Sequence, residues 1–117
     1  ENGRVYPNSE ITKAPPKTKS YAYITDTAYH APVAKRVSGT DLLYHEATFA
    51  SDKQKDAKEK LHSTAEEAAM IARKAGAGRL LIGHFSARYK DHEILLSEAR
   101  ALFPDTMAAE EGMTVEL

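Results

Sequence analysis

The residues best suited to chemistry recur where apolar runs stop. Gly83-His84-Phe85-Ser86-Ala87-Arg88-Tyr89 sets an imidazole directly after Leu80-Leu81-Ile82 and follows it with a hydroxyl, a guanidinium and a phenol. Asp26 closes the run Ser20 to Thr25, His45 and Glu46 close Asp41 to Tyr44, and His62 stands just ahead of a helix start. An imidazole can ligate a metal or move a proton, and an arginine can grip a phosphate. Aspartate and histidine without cysteine form a hard-to-borderline donor set suited to zinc, manganese or iron. Each residue taken singly also has a plain structural use. Asp26-Thr27 can make a turn or cap a helix, Glu46 can be a surface charge, and His62 can lie in a solvated loop. His84 can hydrogen-bond a neighbouring loop and Arg88 can form an ion pair. Their coincidence at comparable positions favours a shared site. No Ser-His-Asp triad, phosphate-cradling glycine loop or dinucleotide fingerprint is present.

The elements that position these residues follow from periodicity. Ser20 to Thr25 is rich in aromatic and β-branched residues and reads as a strand. Ala31 to Val37 reads as a helix with proline in its first turn and Gly39 as its stop. Asp41 to Tyr44 and Arg79 to Ile82 read as two further strands. The charged stretch Phe49 to Lys60 reads as a solvated loop or helix. Ser63 with Glu66 forms a capping-box pattern, and Ala65, Ala68, Ala69, Ala72 and Ala75 give the helix behind it a small-residue face, ended by Gly76. Asp91 is placed to cap a last helix carrying Ile94, Leu95, Ala99 and Leu102, which Pro104 stops. Met107 to Leu117 reads as a hairpin turning at Glu111-Gly112. Residues 1–19 are polar and proline-bearing, with brief strands suggested at Val5-Tyr6 and Glu10 to Thr12, and otherwise read as an irregular arm or edge segment. Strands alternating with helices argue an α/β layered sheet. Parallel strands would bring their carboxyl ends, with Asp26, Glu46 and His84, to one edge, where such sheets bind ligands.

The 117 residues make at most one domain. Sixteen basic and 17 acidic residues nearly cancel, so no global field marks a nucleic-acid binder, although a local basic patch stays open. The absence of cysteine excludes disulfides and thiolate metal sites and suits a reducing cytoplasm. No apolar run reaches the roughly 20 residues that cross a bilayer. The chain starts at Glu1, which reads as a processed chain or as part of a longer one.

Four strings carry a family resemblance: Ser20 to Thr27, Leu43-Tyr44-His45-Glu46-Ala47-Thr48-Phe49, His62-Ser63-Thr64-Ala65, and Gly83 to Tyr89. In this order and spacing, over residues 20–104, they resemble the motifs of ribonuclease Z, the tRNA 3′-processing endoribonuclease family of the metallo-β-lactamase superfamily. The resemblance implies an α/β chain forming the C-terminal half of an αββα sandwich, with residues 20–117 as that half. It implies a zinc-dependent endonuclease that removes 3′ trailers from precursor tRNA by metal-hydroxide attack on a phosphodiester. It also implies two zinc ions in the full-length protein, with Asp26 and His84 among their ligands. His62 would donate a proton to the leaving oxygen, oriented by Glu46. Ser86, Arg88, Tyr89, Ser63 and Thr64 would contact RNA phosphate.

The departures from the family are equally specific. Its leading histidine-x-histidine-x-aspartate-histidine motif is absent, since His30, His45, His62, His84 and His92 are not spaced that way. The family's proposed general base and its tRNA-binding arm are missing with it. The expectations are therefore weak or absent zinc binding in this chain alone and one sheet face left bare. Self-association, as a homodimer or larger homo-oligomer, or a partner half would cover that face. Two rivals remain: another metallo-β-lactamase-fold hydrolase, such as an arylsulfatase-like or cyclic-nucleotide phosphodiesterase relative, and a non-catalytic scaffold half. The purified 117-residue chain is expected to leave precursor tRNA uncut; zinc-dependent cleavage by it in a gel assay would overturn that expectation.

Overall fold

The computed structural model describes residues 19–25 and 27–117. The brief strands expected before Lys19, and Asp26, lie outside the described residues. Among the described residues, four strands form one sheet in the order β1 (Tyr21–Ile24), β2 (Leu42–Glu46), β3 (Arg79–Gly83), β4 (Thr106–Ala108). Every neighbouring pair is parallel. The helices are α1 (Val33–Arg36), α2 (Gln54–Glu59, preceded by a 3-10 turn at Ser51–Lys53), α3 (Ala65–Ala75) and α4 (Glu93–Leu102). The mixed α/β architecture expected from the alternating pattern is the one observed.

The register sorts side chains onto two faces, because successive residues of a strand point to opposite sides. Ala22, Ile24, Leu43, Leu80 and Ile82 share one face and pack with the helices. Helix α3 lies over that face, touching β2 and β3 and flanked by α1 and α4. Ala65, Ala68, Ala69 and Ala72 are fully buried and Ala75 nearly so. Methyl-sized side chains let the helix backbone come close to the sheet, as their spacing predicts. Gly76 closes the helix in the left-handed conformation at φ 67°, which glycine adopts without a Cβ penalty.

The other face carries Tyr21, Tyr23 and Tyr44 beside the buried Leu42 and Leu81. Tyr21 and Tyr23 are 50% and 60% exposed. Tyr23 stacks on Tyr44 at a ring separation of 4.5 Å. Burial, reinforced by its tyrosine neighbours and Glu46, pushes the Tyr44 phenol up to about 12. A Cβ on Gly83 would come within 2.5 Å of the Tyr44 hydroxyl oxygen, so glycine at the end of β3 makes room for that phenol.

Four expectations need correction. His45 and Glu46 do not follow β2 but form its last two residues, both buried. The N-cap of α3 is Thr64, boxed with Glu67, and not Ser63 with Glu66. Ser63 is unavailable because its N–H and hydroxyl are already committed to Glu46 and Thr27. On α4, Leu95 and Ala99 are fully buried whereas Ile94 is 52% exposed; His92 occupies the N-cap position, and Asp91 accepts the Glu93 N–H at 3.1 Å. The terminal hairpin does not form. After Pro104 the chain runs beside β3, and residues 106–108 pair with its outer edge as a parallel strand, which satisfies backbone groups there. A turn does occur at Glu111-Gly112. Beyond it, Lys19 and Arg79 donate to the carbonyls of Leu117 and Glu116.

The close seating of α3 leaves no room for added volume. Ala69→Leu is expected to lower unfolding stability by about 1–3 kcal/mol through overpacking, read as a shifted urea midpoint, while an exposed exchange such as Arg73→Lys leaves it within about 0.5 kcal/mol.

Candidate active site

The short segment Ala47-Thr48-Phe49, continuing from β2, gathers two loops by backbone bonds. Ala47 N–H donates to the Gly83 carbonyl at 2.8 Å and Thr48 N–H to the Ser63 carbonyl at 3.0 Å. Ser86 N–H donates to the Thr48 carbonyl at 2.9 Å, and Ala65 N–H to the Phe49 carbonyl at 2.9 Å. The His62 loop and the His84 loop are thereby fastened to the carboxyl end of one central strand. Residues at the ends of β2 and β3, far apart in sequence, meet at the edge where parallel sheets bind ligands.

At the centre of this cluster is the Glu46 carboxylate, fully buried. One oxygen accepts the Thr27 N–H at 2.8 Å. The other accepts the Thr48 hydroxyl at 2.8 Å and the Ser63 N–H at 3.0 Å. His62 Nδ1 lies 3.0 Å from the second oxygen and 3.2 Å from the first. Burial pushes the carboxyl pKa up, but the donors from Ser63, Thr27, His62 and Thr48 together outweigh it, so the pKa falls below its ordinary 4.5. A carboxylate accepts hydrogen bonds only, so His62 must present Nδ1–H to it. In the neutral ring Nε2 is then bare, and in the protonated ring Nε2–H is the proton it can give.

His84 faces His62, with ring centroids 5.2 Å apart. It is exposed, and its Nδ1 lies 3.0 Å from the Thr48 hydroxyl. Its backbone is left-handed at φ 62°, as is Leu61 beside His62 at φ 60°. Non-glycine residues in that region carry a cost of about 1 kcal/mol or more. Both histidines thus stand at or beside strained backbone, a signal that the sequence does not reveal. Donor atoms of Glu46, His62 and His84 all lie within 4.8 Å of one another. Glu46 is saturated by its four donor groups and acts as the orienting group. The two imidazoles are nitrogen donors that fit part of a site for a borderline divalent cation.

The remaining expected residues are placed as follows. Ser63 and Thr64 are buried, and their hydroxyls serve the chain itself: Ser63 donates to the Thr27 carbonyl at 2.6 Å and Thr64 accepts the Glu67 N–H at 3.1 Å. Ser86 accepts the Arg88 N–H at 3.3 Å. The Tyr89 hydroxyl accepts the Ala50 N–H at 2.8 Å. The Arg88 guanidinium is exposed and lies 5.3 Å from the centre of the Phe49 ring, with the Lys60 ammonium 5.9 Å from the same ring. His45 points to the helix side, where burial lowers its pKa against the opposing pull of the Glu46 carbonyl and the Glu46 and Glu67 charges. It donates Nδ1–H to the Glu46 carbonyl at 2.8 Å. Sequence reasoning gave Thr27 only a turn or capping use and Thr48 no role. Their contacts depend on the fold, and only the proximity of Thr48 to Glu46 in the chain hinted at one.

Residues 12–85 match the beta-lactamase superfamily domain family. A protein named ribonuclease Z from Porphyromonas gingivalis strain W83 is 50% identical over 116 residues, covering 99% of this chain and 38% of the relative. Ribonuclease Z of Bacteroides fragilis is 48% identical over 115 residues, with 98% and 38% covered. The chain thus spans about 38% of the length of these relatives. Among solved structures, the metallo-beta-lactamase fold protein YhfI from Bacillus subtilis aligns with a TM-score of 0.74 at 30% identity, covering 80% of this chain and 38% of that one. Human tRNase Z, short form, aligns with a TM-score of 0.57 at 33% identity, covering 72% and 27%.

Glu46→Gln tests whether the site depends on an acceptor-only group. The amide turns an NH2 toward donors, so the variant is expected to lose about 1–3 kcal/mol of stability in urea despite its matching shape. Glu46 contributes its full stabilisation above its ordinary value of 4.5 and loses it as pH falls through its lower value in the fold. Acidification through that range should therefore cost the unsubstituted protein more stability than the variant.

Proposed function

The chain belongs to the beta-lactamase superfamily, and from that membership we propose that it forms the C-terminal half of a zinc-dependent endonuclease that trims the 3′ ends of precursor tRNA. Support comes from its near-complete alignment with proteins named ribonuclease Z at 46–50% identity. The observation that carries the reading is the buried Glu46 carboxylate holding His62 Nδ1 beside His84. An imidazole fixed in one tautomer by a carboxylate is suited to giving its outer proton to a leaving alkoxide. In this reading His62 is the general acid and Glu46 its orienting partner.

His84 and Asp26 are proposed as metal ligands. His84 offers an exposed imidazole next to the proton donor. Asp26 is assigned from its motif alone; Thr27, the next residue in the chain, is held by Glu46 and by the Ser63 hydroxyl. Bound zinc would supply Lewis acidity toward the phosphoryl oxygens. The chain's own residues fix the proton donor, and Arg88 and Lys60 provide positive charge around Phe49 near His62. Arg88, with Ser86 and Tyr89 in the same loop, is proposed to meet the RNA backbone. Ser63 and Thr64 are buried, with their hydroxyls bonded within the chain. We place the protein in the cytoplasm with precursor tRNA as its substrate. No helix of the described residues is long and apolar enough to cross a membrane. The remainder of the whole protein would cover the tyrosine face and complete the metal site, while self-association through that face is the alternative cover.

In the full-length protein, His62→Ala is expected to slow precursor-tRNA cleavage by about 10²–10⁴-fold while zinc content measured by atomic absorption stays unchanged. Asp26→Ala should lose zinc. Unchanged cleavage by the first variant would favour a scaffold role, and unchanged zinc in the second would remove Asp26 from the ligand set.

A further inference from the structure

Thr48 is a second residue through which Glu46 reaches into the site. Its hydroxyl lies 2.8 Å from Glu46 and 3.0 Å from His84 Nδ1. A threonine hydroxyl has one proton to give and lone pairs to accept with. The Glu46 oxygen it meets also receives the Ser63 N–H and the His62 Nδ1. The other Glu46 oxygen is met by the Thr27 N–H. Surrounded by donors, the carboxylate can only accept, so the Thr48 proton goes to Glu46. Toward His84 the Thr48 oxygen has only lone pairs left. His84 Nδ1 must then carry hydrogen, and in the neutral ring Nε2 is bare.

We propose that Thr48 is a positioning residue that fixes His84 as the Nδ1–H tautomer, leaving Nε2 as the atom that ligates the metal. The proposal rests on the reading of His84 as a ligand. One buried carboxylate then sets both imidazoles: His62 directly and His84 through one hydroxyl. Both present Nε2 as the working atom, one for a proton and one for a cation. Carboxylates that orient ligand histidines, directly or through another group, tune affinity in this way. The Thr48 backbone does separate work. Its N–H and carbonyl join the Ser63 and Ser86 loops, and those bonds survive loss of the hydroxyl. At 7% exposure the side chain is buried, and valine preserves its branched shape.

The test uses the full-length protein with 15N-labelled histidine, freed of metal and held above the pH range where imidazoles protonate. Long-range 1H–15N correlations report which ring nitrogen of His84 carries hydrogen, and His84→Ala identifies the signal. The unsubstituted protein should show protonated Nδ1 and bare Nε2. Thr48→Val should shift His84 toward the Nε2–H form and weaken zinc binding about 10- to 100-fold in a competition titration with a chromogenic chelator. Thr48→Ser should restore both. His62 should keep its Nδ1–H signature in all three proteins, because its partner is Glu46. An Nε2–H tautomer of His84 in the unsubstituted protein overturns the proposal, and this arm stands even where Thr48→Val fails to fold. An unchanged tautomer and zinc affinity in Thr48→Val also overturn it, as does a joint change of both histidines, which would mark a general collapse of the cluster. Zinc affinity of His84→Ala separates the two claims. Undiminished affinity there removes His84 as a ligand and defeats the functional reading, while the tautomer spectrum independently decides what Thr48 does.

Discussion

A carboxylate with no exposure to solvent is costly unless its oxygens are fully met. Glu46 meets that condition by drawing in the chain at Thr27, Thr48, His62 and Ser63. Each donor belongs to a segment that must stop somewhere near the end of β2, and the charge specifies where. The same donors occupy both Glu46 oxygens, and His62 Nδ1 is held against them. The bonds that make the buried charge tolerable also fix the His62 ring.

The sheet beneath follows a second constraint, the thickness of what covers it. Alanines on α3 bring that helix close to β2 and β3, and the core between them is made by Leu43, Leu80, Ile82 and Ile71. Because the strands are parallel, their carboxyl ends share one edge and the loops after them converge. The opposite face presents tyrosines with exposed rings. An αββα sandwich places a second sheet against such a surface, which accords with a chain spanning about 38% of its relatives' length.

Much of the site was legible in the residues themselves. The alternation of strands and helices gave the layered sheet, the alanine spacing gave the buried face of α3, and Gly76 gave its end. Glu46, His62 and His84 were recognisable because each follows or precedes an element boundary and because their motifs occur in order. The roles of Ser63 and Thr64 were not legible to one residue. Capping patterns read Ser63-Glu66 and Thr64-Glu67 alike, and only the tertiary commitment of Ser63 to Glu46 and Thr27 decides between them. The terminal segment was misread for a similar reason: a turn at Glu111-Gly112 suggested a hairpin, whereas the free edge of β3 captured residues 106–108 first.

The sequence by itself determined which elements exist and which side chains are able to do chemistry, since periodicity and residue type are local properties. Tertiary structure alone decided that Glu46 is an orienting group with four donor partners, that Thr48 stands between it and His84, and that His84 occupies left-handed backbone. Those facts depend on loops 36 residues apart in the chain, Thr48 and His84, meeting at one strand end. Hydrogen-bond direction is a property of that meeting, and no residue's identity encodes it alone.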